Sequence, residues 1–389
     1  MSGASASAAQ AETSIDSGVG QRRIRLRVAL LAFGAVSLLT GLYGGLLRLG
    51  WALPHGTGLA DLHGPLMICG LFGTLISLER AVAIGRDWTY AAPAFSALGS
   101  FALLAGMPSI VAMSSYIIAA AVLASASYLV VLRHPALYTG TMLFGALAWL
   151  AGDILWMTGA ALPDVAGWWL TFLILTIAGE RLELSRMLQP KPGSEALFLF
   201  AIGLLAAGAW NGLLNANGST LFSIGLLACA AWLLRYDIAR RTIRQQGQTR
   251  FFAACMLLGY AWLGIAGGLL IAVPPADYAF GYDLALHAVL IGFVLSMVFG
   301  HALIILPAVT GLRVQYHARL YAPLAILHIA LLLRLAGGLA EIDVLRLWSG
   351  PLTIVALLAF LGSVVSGTKF ALRYTPSGLT SGVGALPHR

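Results

Sequence analysis

Along this chain, long unbroken runs of apolar residues alternate with short polar breaks. The first run covers about 28–49, and others follow at about 63–84, 89–107, 110–132, 137–160, 165–182, 195–214, 219–235, 251–273, 284–307, 318–339 and 346–368. These lengths approach what a helix rising about 1.5 Å per residue needs to cross a hydrocarbon core of about 30 Å. The runs lack the alternation of barrel strands, and hydrocarbon tolerates no unpaired backbone group, so helix is the spanning form that fits. Turn-forming residues fall at the breaks: Gly106-Met107-Pro108, Gly159, Asn215 to Gly218 and Pro274-Pro275. The pattern predicts an all-α, polytopic membrane protein with about 12 transmembrane helices. Residues 1–20, small and polar, are expected to form a disordered cytoplasmic tail, 21–374 the membrane domain, and 375–389 a flexible C-terminal tail. The first run follows Arg22, Arg23, Arg25 and Arg27, is too long for a signal-peptide core and has no small-residue cleavage site behind it.

Composition removes whole classes of function. The chain has 389 residues, 59% hydrophobic and 10% charged, where a soluble chain carries about a quarter charged. Soluble enzymes, nucleic-acid binders and secreted scaffolds are excluded. The formal charge of +8 reports topology: of 23 Lys and Arg, all but Arg48, Arg334 and Arg346 fall in the N-terminal segment, at the loops after spans 2, 4, 6, 8 and 10, or in the C-terminal tail. Asp61, Asp164, Asp277, Asp283 and Asp343 mark the opposite side. The positive-inside rule then places both termini in the cytoplasm, with a bacterial inner membrane as the expected home and lipid as the partner. The three cysteines, Cys69, Cys229 and Cys255, lie within spans without CxxC spacing, so no disulfide or zinc-ribbon framework is expected.

Ionisable residues inside spans are the remaining signal, because each costs about 2.5–3.5 kcal/mol at a helix centre unless partnered. They are His63 and Glu79 in span 2, Asp153 in span 5, Glu180 in span 6, His287 and His301 in span 10, and His328 and Arg334 in span 11. His55, His134, His317 and His388 fall in loops or the tail. Spans 2 and 10 both run inward and open similarly, as Asp61-Leu62-His63-Gly64 and Asp283-Leu284-Ala285-Leu286-His287, which puts both imidazoles about one turn below the outer face. Two imidazoles at one depth are what a bis-histidine haem requires. Gly64, Gly70, Gly73, Ala288 and Gly292 would leave room for its ring; helix capping or a bond to a backbone carbonyl explains the histidines equally well. Arg334 and Arg346 are placed to meet haem propionates, or to snorkel to headgroups. Asp153 is a candidate acceptor for a ligand imidazole, or a partner for a nearby Ser, Trp or Tyr.

A second set lies toward the inside. Glu79-Arg80, Glu180-Arg181 and Gly300-His301 recur at every fourth span, which suggests three pseudo-repeated four-helix units. Glu79, Glu180 and His301 should then face one another, with a glutamate oxygen within about 8 Å of the His301 ring, and could hold copper or another metal or relay protons. Arg80 and Arg181 should reach the cytoplasmic interface.

Helix count, cytoplasmic N-terminus and the outer histidines of spans 2 and 10 resemble the catalytic subunit of haem-copper oxidases and nitric oxide reductases. That resemblance implies a low-spin haem on His63 and His287. It also marks a departure, since the chain has no histidine between His134 and His287 to build the family's oxygen-reducing centre. The run Leu62-His63-Gly64-Pro65-Leu66-Met67-Ile68-Cys69-Gly70-Leu71-Phe72-Gly73 is similar to the His-x-x-x-Met-x-x-Gly-Phe segment of the NnrS family, and His287-Ala288-Val289-Leu290-Ile291-Gly292 to its second histidine region, although the fuller His-x-His pattern is missing. This resemblance implies haem b and copper chemistry connected with nitric oxide or respiratory metabolism; the redox partner or quinol is unspecified. Two other functions fit the residues. One is an ion-coupled transporter using Glu79, Asp153, Glu180 and His328, whose expected six-plus-six division and long central loop are absent. The other is an oxidase assembly factor that handles haem or copper, with Met67 and Cys69 as soft ligands.

Overall fold

The computed structural model describes residues 3–54, 58–185 and 193–373, and side chains within these from 21 to 368. His55, His388 and the expected tail at 375–389 lie outside the described residues. All regular structure among them is helical, in twelve successive rods, α1 Gly3–Leu49, α2 Leu59–Ile84, α3 Ala91–Leu104, α4 Ser109–Arg133, α5 Leu137–Met157, α6 Leu162–Ser185, α7 Ser194–Asn211, α8 Ala216–Tyr236, α9 Gly247–Ala272, α10 Gly281–Thr310, α11 Tyr321–Leu339 and α12 Asp343–Arg373, with single short turns of helix at Ala239–Thr242 and Ala318–Leu320 between rods. Eleven of the helical segments are long and apolar enough to cross a membrane. The exception, α3, has 14 residues and is led in by a 3-10 turn at Asp87–Tyr90. The chain is a multi-pass membrane protein.

One expectation changes at the start. The backbone of α1 is helical from Gly3, so the segment expected to be disordered continues the first helix. Its Ala, Gln and Glu content suits a helix, and extending an existing helix avoids the cost of nucleation.

Sequence neighbours pack together, most extensively α5 with α6, α7 with α8, and α11 with α12. In the most apolar stretch of α6, 78% of residues are buried, and in α10 67%, against 28% in α1 and in α12. The first two are therefore central and the last two peripheral. Side chains of α2, α6 and α10 meet within the bundle, where Glu180 contacts both Arg80 and His301. Both α2 and α10 end on a left-handed glycine, Gly85 (φ 72°) and Gly311 (φ 73°), whose N–H returns to the carbonyls of Ala81 and Pro307.

Candidate functional site

The site grows from a shared irregularity in α2 and α10. In α2 the α-helical stretch Leu59–Pro65 gives way to a π turn at Leu66–Phe72, and in α10 Gly281–His287 gives way to one at Ala288–Leu295. These are the two π segments among the described residues. Pro65 supplies a local cause in α2, because it has no N–H for the bond to the preceding turn. Such wide turns are rare and concentrate at functional sites. Here each follows directly on a histidine-bearing turn.

The two histidines meet. The rings of His63 and His287 have centroids 6.2 Å apart and planes 15° from parallel. His63 Nδ1 is 2.7 Å from the carbonyl of Gly41 on α1, and His287 Nδ1 is 2.8 Å from the carbonyl of Asp283 one turn earlier. A carbonyl only accepts, so both Nδ1 atoms donate and each neutral ring keeps its lone pair on Nε2. The rings border a cavity of about 720 Å³, lined also by Arg48, Asp61, Arg334 and Arg346. This lies within the roughly 300–1,000 Å³ of small-molecule and cofactor sites.

Glycine makes room for His63, but not where the sequence suggested. Gly70, Gly73 and Gly292 are turned from the cavity: a Cβ on each would meet Ser37 and Ser100, Trp149, and Trp262 respectively. Only Gly64 and Ala288 of the expected small residues remain near the histidines, and Gly64 lines the cavity. The decisive glycine is Gly45 on α1, where a Cβ would lie 2.9 Å from His63 Cε1 and 3.0 Å from its Nδ1. Gly41-x-x-x-Gly45 is a small-xxx-small pattern, the signal in the sequence that a neighbouring helix approaches closely.

The charged residues are arranged differently from expectation. Arg334 is held by Asp283 through two bonds, Nε to Oδ2 at 2.9 Å and Nη2 to Oδ1 at 2.5 Å, so its guanidinium is already neutralised. The same carboxylate lies 3.2 Å from His287 Nδ1 and links cation to imidazole. Arg346 is the freer cation. It stacks over Phe280 at 4.2 Å, lies 3.7 Å from the exposed Asp343, and leaves its Nε unpartnered. Arg48 joins it on the cavity wall. Asp153 is not an acceptor for either imidazole: it is fully buried and accepts from Trp169 Nε1 at 2.9 Å and Cys69 Sγ at 3.4 Å. The partnership with a nearby Trp is the alternative that holds. His328 is paired with Trp262, whose Nε1 donates to its Nδ1 at 2.8 Å. Asp153 and His328 are thus each bonded to a tryptophan, while Asp153 Oδ2 and His328 Nε2 have no partner among the described residues.

At the other end of the same helices, Glu180 accepts from Arg80 at 2.5 Å and lies 3.7 Å from His301 Nε2, well inside the expected separation. Glu79 borders a second cavity, of about 240 Å³, with Glu180 and His301. Arg80 and Arg181 depart from the interfacial role given to them. Arg80 is paired with Glu180, and Arg181 is buried in a two-point ion pair with Asp237 at 2.8 and 3.2 Å. Asp237, the one acid in the basic run from Arg235 to Arg250, is the sequence signal for that buried partner. Among the described residues no group of three His, Cys, Asp or Glu side chains is placed to hold a metal ion, Glu79, Glu180 and His301 included.

Fold and site together define a polytopic all-α membrane protein with a paired-imidazole cavity between two π-turned helices. The chain belongs to the family described as Domain of unknown function (DUF8744), whose model matches residues 27–369. No curated protein and no solved structure matches it.

Proposed function

We propose that this is a haem-binding membrane protein that holds haem b between His63 and His287 near the outer face of a bacterial inner membrane. The observation that carries the reading is the spacing of the two rings. A metal to imidazole-nitrogen bond is about 2.0–2.1 Å and Nε2 lies about 1.1 Å from its ring centre, so two axial imidazoles need centroids about 6.3 Å apart. The observed separation is 6.2 Å, with both Nδ1 atoms engaged by backbone carbonyls and the Nε2 lone pairs left as the available ligands. Two histidines are too few for a bare ion, but a metalloporphyrin brings its own four nitrogens and needs only these. The 720 Å³ cavity supplies space, and Arg346 and Arg48 on its wall are available to neutralise carboxylates.

Haem bound there supplies one-electron redox chemistry. The chain's own groups set its character: Asp283 fixes the orientation of His287 and increases its basicity, while Gly41 does the same for His63 by accepting from its ring. If both His63 and His287 held the iron, they would leave it no open position for a small molecule, a character that suits electron transfer or redox sensing better than turnover. The connection with nitric oxide or respiratory metabolism rests on the NnrS resemblance. The purified protein should show a low-spin haem spectrum, with the near-parallel rings giving a rhombic electron-paramagnetic-resonance signal. Loss of pigment in both His63→Ala and His287→Ala is expected; an unpigmented wild type, purified from haem-replete cells, overturns the proposal.

A further inference from the structure

The 240 Å³ cavity contains a carboxyl group that the outer site does not use. Glu79 has no hydrogen bond or ion pair among the described residues, yet it faces a space walled largely by aliphatic side chains, among them Leu31 and Ala35 of α1 and Leu173 of α6. The charged and titratable groups around it come from three helices. On its own α2 is Arg80; α6 gives Glu180, with Arg181 and Glu183 beyond it; α10 gives His301; α1 and α12 bring only apolar residues to the wall, including Phe360. Arg80 is already matched by Glu180, and Arg181 by Asp237. An ionised Glu79 would therefore add an uncompensated negative charge beside an already matched Arg80–Glu180 pair, in a medium that solvates it poorly.

His301 extends the cluster's capacity. Its Nδ1 lies 2.8 Å from the Met297 carbonyl and must donate, so the neutral ring points an accepting Nε2 at Glu180, 3.7 Å away. From these contacts we infer that Glu79, Glu180 and His301 form a proton-binding site, with Glu79 carrying the resident proton and His301 able to take a second beside Glu180. The exchange is a simple acid–base step: an O–H bond of Glu79 breaks, its electron pair stays on the carboxylate, and the proton passes to His301 or to water from the basic face. Phe72 borders both this cavity and that of the paired imidazoles. The inference stands whatever the outer cavity holds.

The test uses the full-length protein in membranes, treated with dicyclohexylcarbodiimide, an apolar reagent that converts protonated carboxyls in apolar surroundings to stable acylureas, followed by peptide mass spectrometry. Glu79 should be labelled at neutral pH in preference to the exposed Asp87 and Asp343, with the label falling away in alkaline buffer and absent from Glu79→Gln. A water-soluble carbodiimide with an amine nucleophile should show the reverse order. Labelling of Glu79 no faster than Asp87, or only by the water-soluble reagent, would show a solvated carboxylate and overturn the inference. Protection of Glu79 by sodium or potassium at constant pH would instead identify a cation site and overturn it equally. Because the wild type carries the decisive measurement, a misfolded Glu79→Gln leaves the test intact.

Discussion

Substituting Gly45 by alanine should weaken haem loading without touching either proposed ligand. The added Cβ would sit 2.9 Å from Cε1 and 3.0 Å from Nδ1 of His63, where ordinary contact begins at about 3.4 Å. The ring must retreat by roughly half an ångström, and it has little freedom to do so because Nδ1 is held by Gly41 one turn away on the same helix. Overpacking of this kind costs about 1–3 kcal/mol. If that cost falls on the haem-bound arrangement, affinity drops roughly 5- to 150-fold, at about 1.4 kcal/mol per decade. The control is Gly34→Ala on the same helix, where a Cβ would meet only Thr74, at 3.8 and 3.9 Å. Haem titration into apoprotein, with both variants matched for folded protein, gives the answer. Equal haem affinity in Gly45→Ala and Gly34→Ala would refute the argument that α1 positions His63.

Asp283→Asn should raise the haem midpoint potential, because it removes the negative charge beside His287 and leaves the Arg334 cation unbalanced, two effects that both favour the reduced iron; a redox titration showing a lower potential would contradict this. Asp237→Ala should destabilise the protein by about 3–5 kcal/mol by stranding buried Arg181, whereas Asp237→Leu combined with Arg181→Met should be far milder; thermal unfolding in detergent measures both, with exposed Asp343→Ala as the control. Asp153→Ala should cost about 1–3 kcal/mol by leaving the Trp169 N–H without its acceptor, and Asp153→Asn, which retains an amide oxygen, should recover most of the loss in the same assay.

How much of this was legible in the chain depends on the range of the interaction. Hydrophobic run length reports the spans directly, since lipid requires each helix to satisfy its own backbone and be apolar along its own length. The same logic exposed the ionisable residues, and the shared depth of His63 and His287 followed from the similar openings of their helices. Partnership between helices was less visible. Nothing in the dipeptides Glu79-Arg80 and Glu180-Arg181 distinguishes Arg80, which pairs across to Glu180, from Arg181, which is sealed against Asp237, because the difference lies in the direction each side chain takes around its helix, about 100° per residue. The glycines show the same limit. Counting them in α2 and α10 suggested room for a cofactor, whereas Gly70, Gly73 and Gly292 admit side chains from α1, α3, α5, α9 and α11 and leave His63 to be accommodated by α1.

The two π turns bring these observations together. Only α2 has a proline at the start of its turn, yet both turns begin within three residues of a histidine and carry a glycine at the fifth position, Gly70 and Gly292. A π turn inserts an extra residue into the helical register and so rotates everything beyond it relative to everything before. On α2 and α10 this means that the histidine ends and the glutamate ends need not obey one straight-helix periodicity. His63 can face His287 while Glu79 and His301, a further sixteen and fourteen residues along, still reach a common cavity. The irregularity therefore allows two helices to present chemistry at both levels of the bundle, and a variant that restored regular α-helix in either should misalign one level while preserving the other.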